Sequence, residues 1–157
     1  MRLPTSLTSC ALALCLLVLG FCGSASAGPR AAQADAESRL LSKVNEARRA
    51  HGLHPLRPSP SLGRSAGRFA LHLMRTDSFG HASRVRASPR FDVLGEALAL
   101  HTGRRYRAGF VVRRWLGSGP HRAILLSPVM THVGAGAVRG RLWGRRHVIW
   151  VLQAGAL

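Results

Sequence analysis

Cysteine is missing from most of this 157-residue chain, because Cys10, Cys15 and Cys22 all lie within its first 22 residues. The rest of the chain has no disulfide, which excludes the small disulfide-stapled scaffolds common among exported proteins. Its fold must therefore be held by a packed apolar core alone. A stretch of about 130 residues is long enough to bury such a core in one domain.

Acidic residues are also scarce, at 6 Asp and Glu against 23 Lys and Arg. Without Arg2, 22 basic and 6 acidic residues remain, a net charge of +16. Such a charge attracts anionic cell-wall polymer or acidic lipid. The arginines are scattered and no aromatic platform lies between them, so specific nucleic-acid binding is disfavoured.

The sequence lacks the local motifs of the common hydrolases and metalloenzymes. It has no His-x-x-x-His or His-Glu-x-x-His, and Ser118 is not part of a Gly-x-Ser-x-Gly turn. Any catalytic or metal site must therefore be assembled from distant segments of the chain.

No apolar run is long enough for a comfortable transmembrane span. Residues 1–27 have the pattern of a secretory signal peptide: Arg2, a mostly apolar stretch over residues 10–21, and Ala-Ser-Ala before Gly28. We expect this segment to be removed and the protein to be secreted. A lipid anchor on Cys22 is the less favoured alternative, because bulky Phe21 precedes it where a lipoprotein signal has a small residue.

Residues 28–37 are expected to be a disordered leader and residues 38–157 to form the domain. Apolar stripes predict a first helix from Asp35 or Ser38 to Gly52 and a second from Ser59, with Pro60 at its first position. Within the first helix, Asn45 and Arg48 are expected at the surface.

The second half of the chain predicts one more long helix and then strands. Thr102 or Gly103 should open the helix, and residues 133–138 and 148–152 should be strands, with a turn at Arg139–Gly140. Glycines alternate with small residues over 133–138, so another element should pack close to that strand. Helices first and strands last indicate an α+β fold with helices covering a small antiparallel sheet.

His121 follows Ser118, Gly119 and Pro120 where a turn re-enters helix. Proline is favourable in the first turn of a helix, because its missing N–H would be unpaired there. The partial positive charge of a helix N-terminus favours the neutral imidazole, which can bind metal or accept a proton.

Glu96 and His81 are the other two candidate site residues. If residues 94–100 form a strand, Glu96 shares a face with three leucines, and an unpaired buried carboxylate costs several kcal/mol, as an order of magnitude. It therefore needs a histidine, an arginine or a metal as partner, unless the segment is helical or Glu96 lies at a wet strand end. Gly80 permits a tight turn that can direct His81 inward.

The order of these pieces resembles the CAP superfamily, also called SCP/PR-1-like or cysteine-rich secretory, in its cysteine-free bacterial form. The resemblance covers nearly all of residues 38–153. Matching positions are residues 44–48, Gly52, 55–56, Leu62, Ala66, 70–74, 79–81, 95–96, Trp115, Ser118, 121–122, Leu125, 133–136 and 150–151.

The resemblance implies a three-layer α-β-α sandwich with a central antiparallel sheet and a large cleft. Two histidines and one or two acids line that cleft in the family, and some members bind zinc or another divalent ion there. By position these residues are His81, His121 and Glu96. The family's second acid is absent between Trp115 and Pro120, which leaves fewer ligands for a metal.

The resemblance favours a secreted, monomeric binding module whose cleft holds a divalent metal, zinc above all, or a small ligand or lipid. One alternative is a metal-assisted hydrolase in which Glu96, with His81 and His121, activates water. Another is a cationic protein that binds cell-wall polymer or anionic lipid. We favour binding over catalysis, because a fold does not by itself determine an activity.

Overall fold

The computed structural model describes residues 28–85, 87 and 89–157. The predicted signal peptide over residues 1–27 and the Cys22 alternative lie outside these residues. Within the described part, no helix is both long and apolar enough to cross a membrane. In chain order the elements are α1 Pro29–Ala50, β1 Arg57–Pro58, α2 Pro60–Arg75, β2 Val93–Thr102, α3 Ala108–Leu116, α4 Gly119–Leu125, β3 His132–Leu142 and β4 Arg145–Ala156.

A four-stranded sheet in the order β1-β3-β4-β2 forms the middle of the domain. Strand β4 pairs antiparallel with both β3 and β2, and the two-residue β1 pairs parallel with β3. The side chains of β4 are buried from His147 to Ala156, which confirms the prediction of a central strand over residues 148–152.

Helices cover both faces of this sheet, so the predicted α-β-α sandwich is confirmed. Residues of α1, α3 and α4 pack with alternate sheet residues such as Trp150 and Leu152. Residues of α2 pack with the opposite set, which includes Leu98, Ile149 and Val151. The period-two alternation of a strand divides its apolar residues between the two cores in this way.

Helix α2 lies directly against the glycines of β3, as the alternation predicted. A Cβ added at Gly134 would lie 2.1 Å from the Gly63 nitrogen, and one at Gly136 would lie 2.4 Å from the Gly67 nitrogen. At the start of α2, the Ser59 hydroxyl accepts a hydrogen bond from the Leu62 N–H, as expected of an N-cap residue.

The leader predicted over residues 28–37 is helical, so that prediction is wrong. Helix α1 begins at Pro29 rather than near Asp35 or Ser38, with Gly28 as its N-cap residue. Ala36 is buried against the core. Glu37 Oε1 accepts a hydrogen bond of 2.9 Å from the Ala137 N–H of β3. These contacts hold the first turns of α1 on the sheet and explain why this segment is helical rather than disordered.

Arg48 is buried rather than exposed, against the expectation for this side chain. Its guanidinium donates to the carbonyl oxygens of His54, Leu125 and Ser127 at 2.8–2.9 Å. Asn45 also faces inward, where its amide exchanges two hydrogen bonds with the Leu56 backbone. Both side chains therefore connect α1 to later segments of the chain instead of being solvated at the surface.

Two boundaries in the second half differ from the sequence prediction. Strand β2 continues through Thr102, and α3 begins at Ala108. The turn between β3 and β4 lies at Trp143 and Gly144, which both have positive φ, rather than at Arg139–Gly140. Positive φ at both central residues matches the right-handed twist of a hairpin. The backbone and indole N–H groups of Trp143 donate to Asp77, which holds this turn against the end of α2.

Candidate functional site

Glu96 lies on β2, an outer strand of the sheet, and shares the α2 face with Leu98 and Leu100. The strand and the leucine face are therefore as predicted. Only 6% of its side chain is exposed. Its oxygens accept hydrogen bonds from the Ala82 N–H at 3.1 Å and from Gln153 Nε2 at 2.9 Å. Fixed donors of this kind compensate a carboxylate for lost water.

His81 is the third partner of Glu96 and comes from the segment after α2. Its Nδ1 lies 3.2 Å from Glu96 Oε1, and 58% of its side chain is exposed. Because a carboxylate can only accept, Nδ1 must carry the hydrogen in this contact. In the neutral ring the other nitrogen, Nε2, then keeps its lone pair.

His121 lies in the first turn of α4, after the N-cap residue Ser118 and Pro120, as predicted. Its Nδ1 is 3.1 Å from the Ser118 hydroxyl. Burial, and secondly the charge of His81, lower the pKa of His121 from its ordinary value of 6.5. Both effects favour the neutral imidazole over the protonated ring.

The three predicted residues meet at the β2 edge of the sheet, although His81 follows α2 and His121 lies on α4 in the opposite layer. The imidazole ring centres of His81 and His121 are 6.3 Å apart, and the Trp115 ring lies 6.4 Å from His121. They do not form a ready three-ligand group, however. Among the described residues, no set of three or more His, Cys, Asp or Glu side chains is arranged to hold a metal ion.

Gln153 belongs to the site and was not singled out from the sequence. It lies opposite both Glu96 and Gly134 in the sheet register, and its residue is 1% exposed. Because a carboxylate can only accept, the Gln153 amide must direct its Nε2 toward Glu96 and its Oε1 away from it. Its Oε1 is buried without a hydrogen-bond partner in the described part of the chain. The available signal was an amide immediately after the apolar run 148–152.

A cavity of about 660 Å³ opens beside these residues, between α2 and the segment that follows it. Phe69, Leu73 and Phe79 form an apolar wall, and His81 and Gln153 add polar groups. Glu96 is reached through these two polar residues, and His121 lies beside the cavity rather than in its lining. Further polar side chains, including Arg68 and Arg84, also line the cavity. The arrangement therefore combines an apolar wall with hydrogen-bonding groups, as small-molecule sites do.

Known proteins resemble this chain over most of the domain. The CAP model, described as the cysteine-rich secretory protein family, matches residues 41–153. The Bacillus subtilis (strain 168) protein YkwD, itself described as uncharacterized, is 29% identical over 123 residues, 71% of this chain and 46% of that protein. The chain thus spans about half the length of this relative.

Two solved structures show the same fold. An outer surface protein from Borrelia burgdorferi has a TM-score of 0.63 at 22% identity, covering 78% of this chain and 92% of that one. An extracellular SCP-domain protein from Bacillus anthracis str. Ames has a TM-score of 0.66 at 18% identity, covering 85% and 45%. With the family model matching well over half of its residues, this chain belongs to the CAP, or cysteine-rich secretory protein, family.

Proposed function

We propose that the domain is an exported binding module whose cavity takes a small amphipathic ligand. The observation that carries this proposal is the hydrogen-bonded group His81–Glu96–Gln153 beside a cavity with an apolar wall. The ligand's apolar body would lie on Phe69 and Phe79. The names of the Borrelia and Bacillus anthracis structures, which describe an outer-surface and an extracellular protein, support export.

The polar end of the ligand should carry an N–H or O–H group. Gln153 Oε1 lacks a donor among the described residues, and a buried unpaired acceptor costs about 1–3 kcal/mol. Because this oxygen is itself buried, the Gln153 side chain would have to shift for a ligand hydroxyl or amide N–H to reach it, and the new hydrogen bond would recover that free energy. Specificity for a hydroxyl- or amide-bearing ligand follows from this pairing.

Binding of the neutral dye Nile red tests the cavity. Gly80 lines it, and a Cβ at this position has no atom within 4 Å, so the backbone there accepts a side chain and Gly80→Trp should obstruct the cavity. We expect saturable dye fluorescence with the native protein and at least a tenfold weaker Kd, about 1.4 kcal/mol, in the variant. Gly28→Trp, at an exposed glycine outside the cavity, is the matched control and should bind normally. Equal binding by both variants would contradict the proposal.

Zinc is the second candidate ligand, and the two imidazoles favour it. Both rings use Nδ1 for hydrogen bonds, to Glu96 and to the Ser118 hydroxyl. This donor set fits a two-histidine attachment through Nε2 of His81 and His121. Glu96 would then orient His81 rather than bind the ion, a role that carboxylates often have beside metal-bound histidines. A zinc ion there would act as a Lewis acid.

A zinc titration followed by thermal unfolding tests this second candidate. At one hundred times Kd, linkage predicts about 2.7 kcal/mol of added stability and therefore a higher Tm. His81→Ala and His121→Ala should each abolish the shift. His51→Ala, on the exposed end of α1, should keep it. A melting curve that zinc leaves unchanged in the native protein would remove the metal from the proposal.

We favour binding over hydrolysis because the Glu96 carboxylate already has three donors. Oε1 accepts from His81 and from the Ala82 N–H, and Oε2 accepts from Gln153. A general base needs a free lone pair within reach of the attacking water. About three of the four lone-pair positions of the carboxylate are therefore occupied, and only one, on the buried Oε2, remains for a water molecule.

A further inference from the structure

We propose a second binding site, for the phosphate group of an anionic ligand, among Arg104, Arg139 and Arg146. It goes beyond the cavity beside Glu96. His147, which borders this site, is six positions from Gln153 along β4, and at about 3.3 Å per residue the two sites are roughly 20 Å apart. The arginine site is therefore separate from the cavity.

The sheet brings these three arginines together. Gly103, with φ of +106°, ends β2 and donates a hydrogen bond of 2.8 Å to the Arg146 carbonyl oxygen, which places Arg104 beside Arg146. The three side chains border a concavity of about 380 Å³. Its remaining lining residues are Gly103, Gly140 and His147. No carboxylate is among the lining residues.

Uncompensated positive charge is the main argument for an anion here. Arg146 lies directly opposite Arg141 in the β3–β4 register, and like charges in such a pair repel. Arg139 is two positions from Arg141, so it shares the same face. Among the described residues, Arg104, Arg139 and Arg146 form no ion pair. A bound anion would relieve this repulsion.

The carboxylates of the neighbouring helix α1 are already engaged. Asp35 pairs with Arg39, and Glu46 pairs with Lys43. Glu37 accepts hydrogen bonds from Gln33 and from the backbone of β3. Asp35 and Glu46 are thus neutralised by their own partners, and Glu37 keeps its charge but forms no ion pair with the three arginines, so a bound anion would add compensating charge at the site.

A larger concavity of about 840 Å³ continues from the arginine site and shares Arg104 and Arg139 with it. It adds two aromatic rings: Arg139 lies 5.5 Å from the Tyr106 ring centre, and Arg107 lies 4.9 Å from that of Phe110. Stacking of this kind holds guanidinium groups in place. Asp35 and Glu46 also line this concavity, each paired with a basic neighbour, so it has room for the uncharged remainder of a phosphate-bearing molecule.

Phosphate fits this site better than a single carboxylate does. The planar guanidinium offers paired N–H donors that match phosphate oxygens, and three such groups suit an ion with several oxygens and more than one charge. The phosphate could belong to a soluble phosphate chain or to a lipid headgroup. The chemistry at the three arginines is the same in both cases.

Calorimetric titration with inorganic tripolyphosphate tests the soluble source, and co-sedimentation with phosphatidylglycerol–phosphatidylcholine vesicles tests the lipid. The variants are Arg104→Gln and Arg146→Gln. The matched control is Arg64→Gln, which removes one exposed charge from α2 in the other layer. We expect saturable binding that each site variant weakens about tenfold, the loss of a charged hydrogen bond, and that the control weakens less than twofold.

Weaker tripolyphosphate binding by the site variants supports the site and a soluble source of the phosphate. If the site variants weaken only vesicle binding, the site is supported and the source is a lipid headgroup. Equal weakening by Arg64→Gln would show that net charge alone attracts the ligand and would overturn the proposal. Absence of saturable binding in both arms would overturn it as well. Nile red binding should be normal in Arg146→Gln, so failure at this site is distinguishable from failure of the cavity proposal.

Discussion

At the scale of single residues, the site depends on how one buried carboxylate is compensated. Glu96 keeps its place on an apolar face because His81, the Ala82 N–H and Gln153 all direct hydrogens at it. Removing one donor leaves part of the desolvation cost uncompensated, which is why truncation in such networks is strongly destabilising. The exposed face of His81 remains available to a ligand.

The lowered pKa of His121 makes a prediction about stability and pH. Burial first, and the charge of His81 second, favour the neutral ring in the folded state relative to the unfolded state. The unfolded state therefore binds more protons near its ordinary pKa of 6.5. The stability contribution is present above this pH and is lost as the pH falls. We expect His121→Asn to flatten the fall in the free energy of unfolding between about pH 7 and about pH 5.

Urea unfolding of both proteins across this range measures the effect. Circular dichroism at neutral pH verifies that the variant is folded. A variant with the same slope as the native protein would show that His121 does not titrate as the structure requires.

At the scale of elements, α2 packs directly against the glycines of β3. Gly134→Ala would put a methyl group 2.1 Å from the Gly63 nitrogen, which is backbone and cannot turn aside. Helix α2 would have to move away from the sheet. We expect a loss of about 3 kcal/mol or more in the free energy of unfolding.

Gly67→Ala is the matched control for this prediction, because it lies in the same interface. A Cβ at Gly67 meets no atom within 4 Å, and Gly67 is inside a helix. Alanine there should stabilise the protein by about 0.5–1 kcal/mol through helix propensity. Chemical denaturation compares the two variants, and a tolerated Gly134→Ala would contradict the close packing.

The first turns of α1 show why an element boundary can be hidden from sequence reasoning. Residues 29–39 are rich in alanine and polar side chains, so no apolar stripe appears before Leu40. Alanine favours helix by itself, but the contacts that order this segment are those of Ala36 and Glu37 with the core and with β3. Such contacts exist only after the sheet has formed.

At the scale of the whole molecule, excess positive charge opposes folding. Residues 28–157 hold 22 basic and 6 acidic residues, and two of the acids form ion pairs with their own helix neighbours. Mutual repulsion in a compact state destabilises it, and salt screens that repulsion. We expect Tm to rise between low and moderate sodium chloride concentrations.

Differential scanning fluorimetry of residues 28–157 measures this dependence. Sodium phosphate at equal ionic strength should raise Tm further than chloride, because phosphate is excluded from the protein surface and a ligand of the folded state also adds to screening. A Tm that falls or does not change with salt would show that charge repulsion is not a major term in this fold.

Periodicity and local backbone rules are sufficient by themselves to determine several features of this protein. They include the capped start of α2 at Ser59, the buried strand 148–152, the face of Glu96 and the close packing on the β3 glycines. Each depends on residues a few positions apart, so the local chain carries the information. The family resemblance supplied the layer order and brought His81, Glu96 and His121 together.

Only the tertiary structure decided which distant groups pair. Arg48 donates to carbonyl oxygens as far as 79 positions away, Gln153 reaches Glu96 across 57, and Glu37 reaches Ala137 across 100. The tertiary structure also brings Arg104, Arg139 and Arg146 together, at the end of the sheet away from Glu96. These partners depend on strand register and on how the layers pack, and no local pattern encodes either.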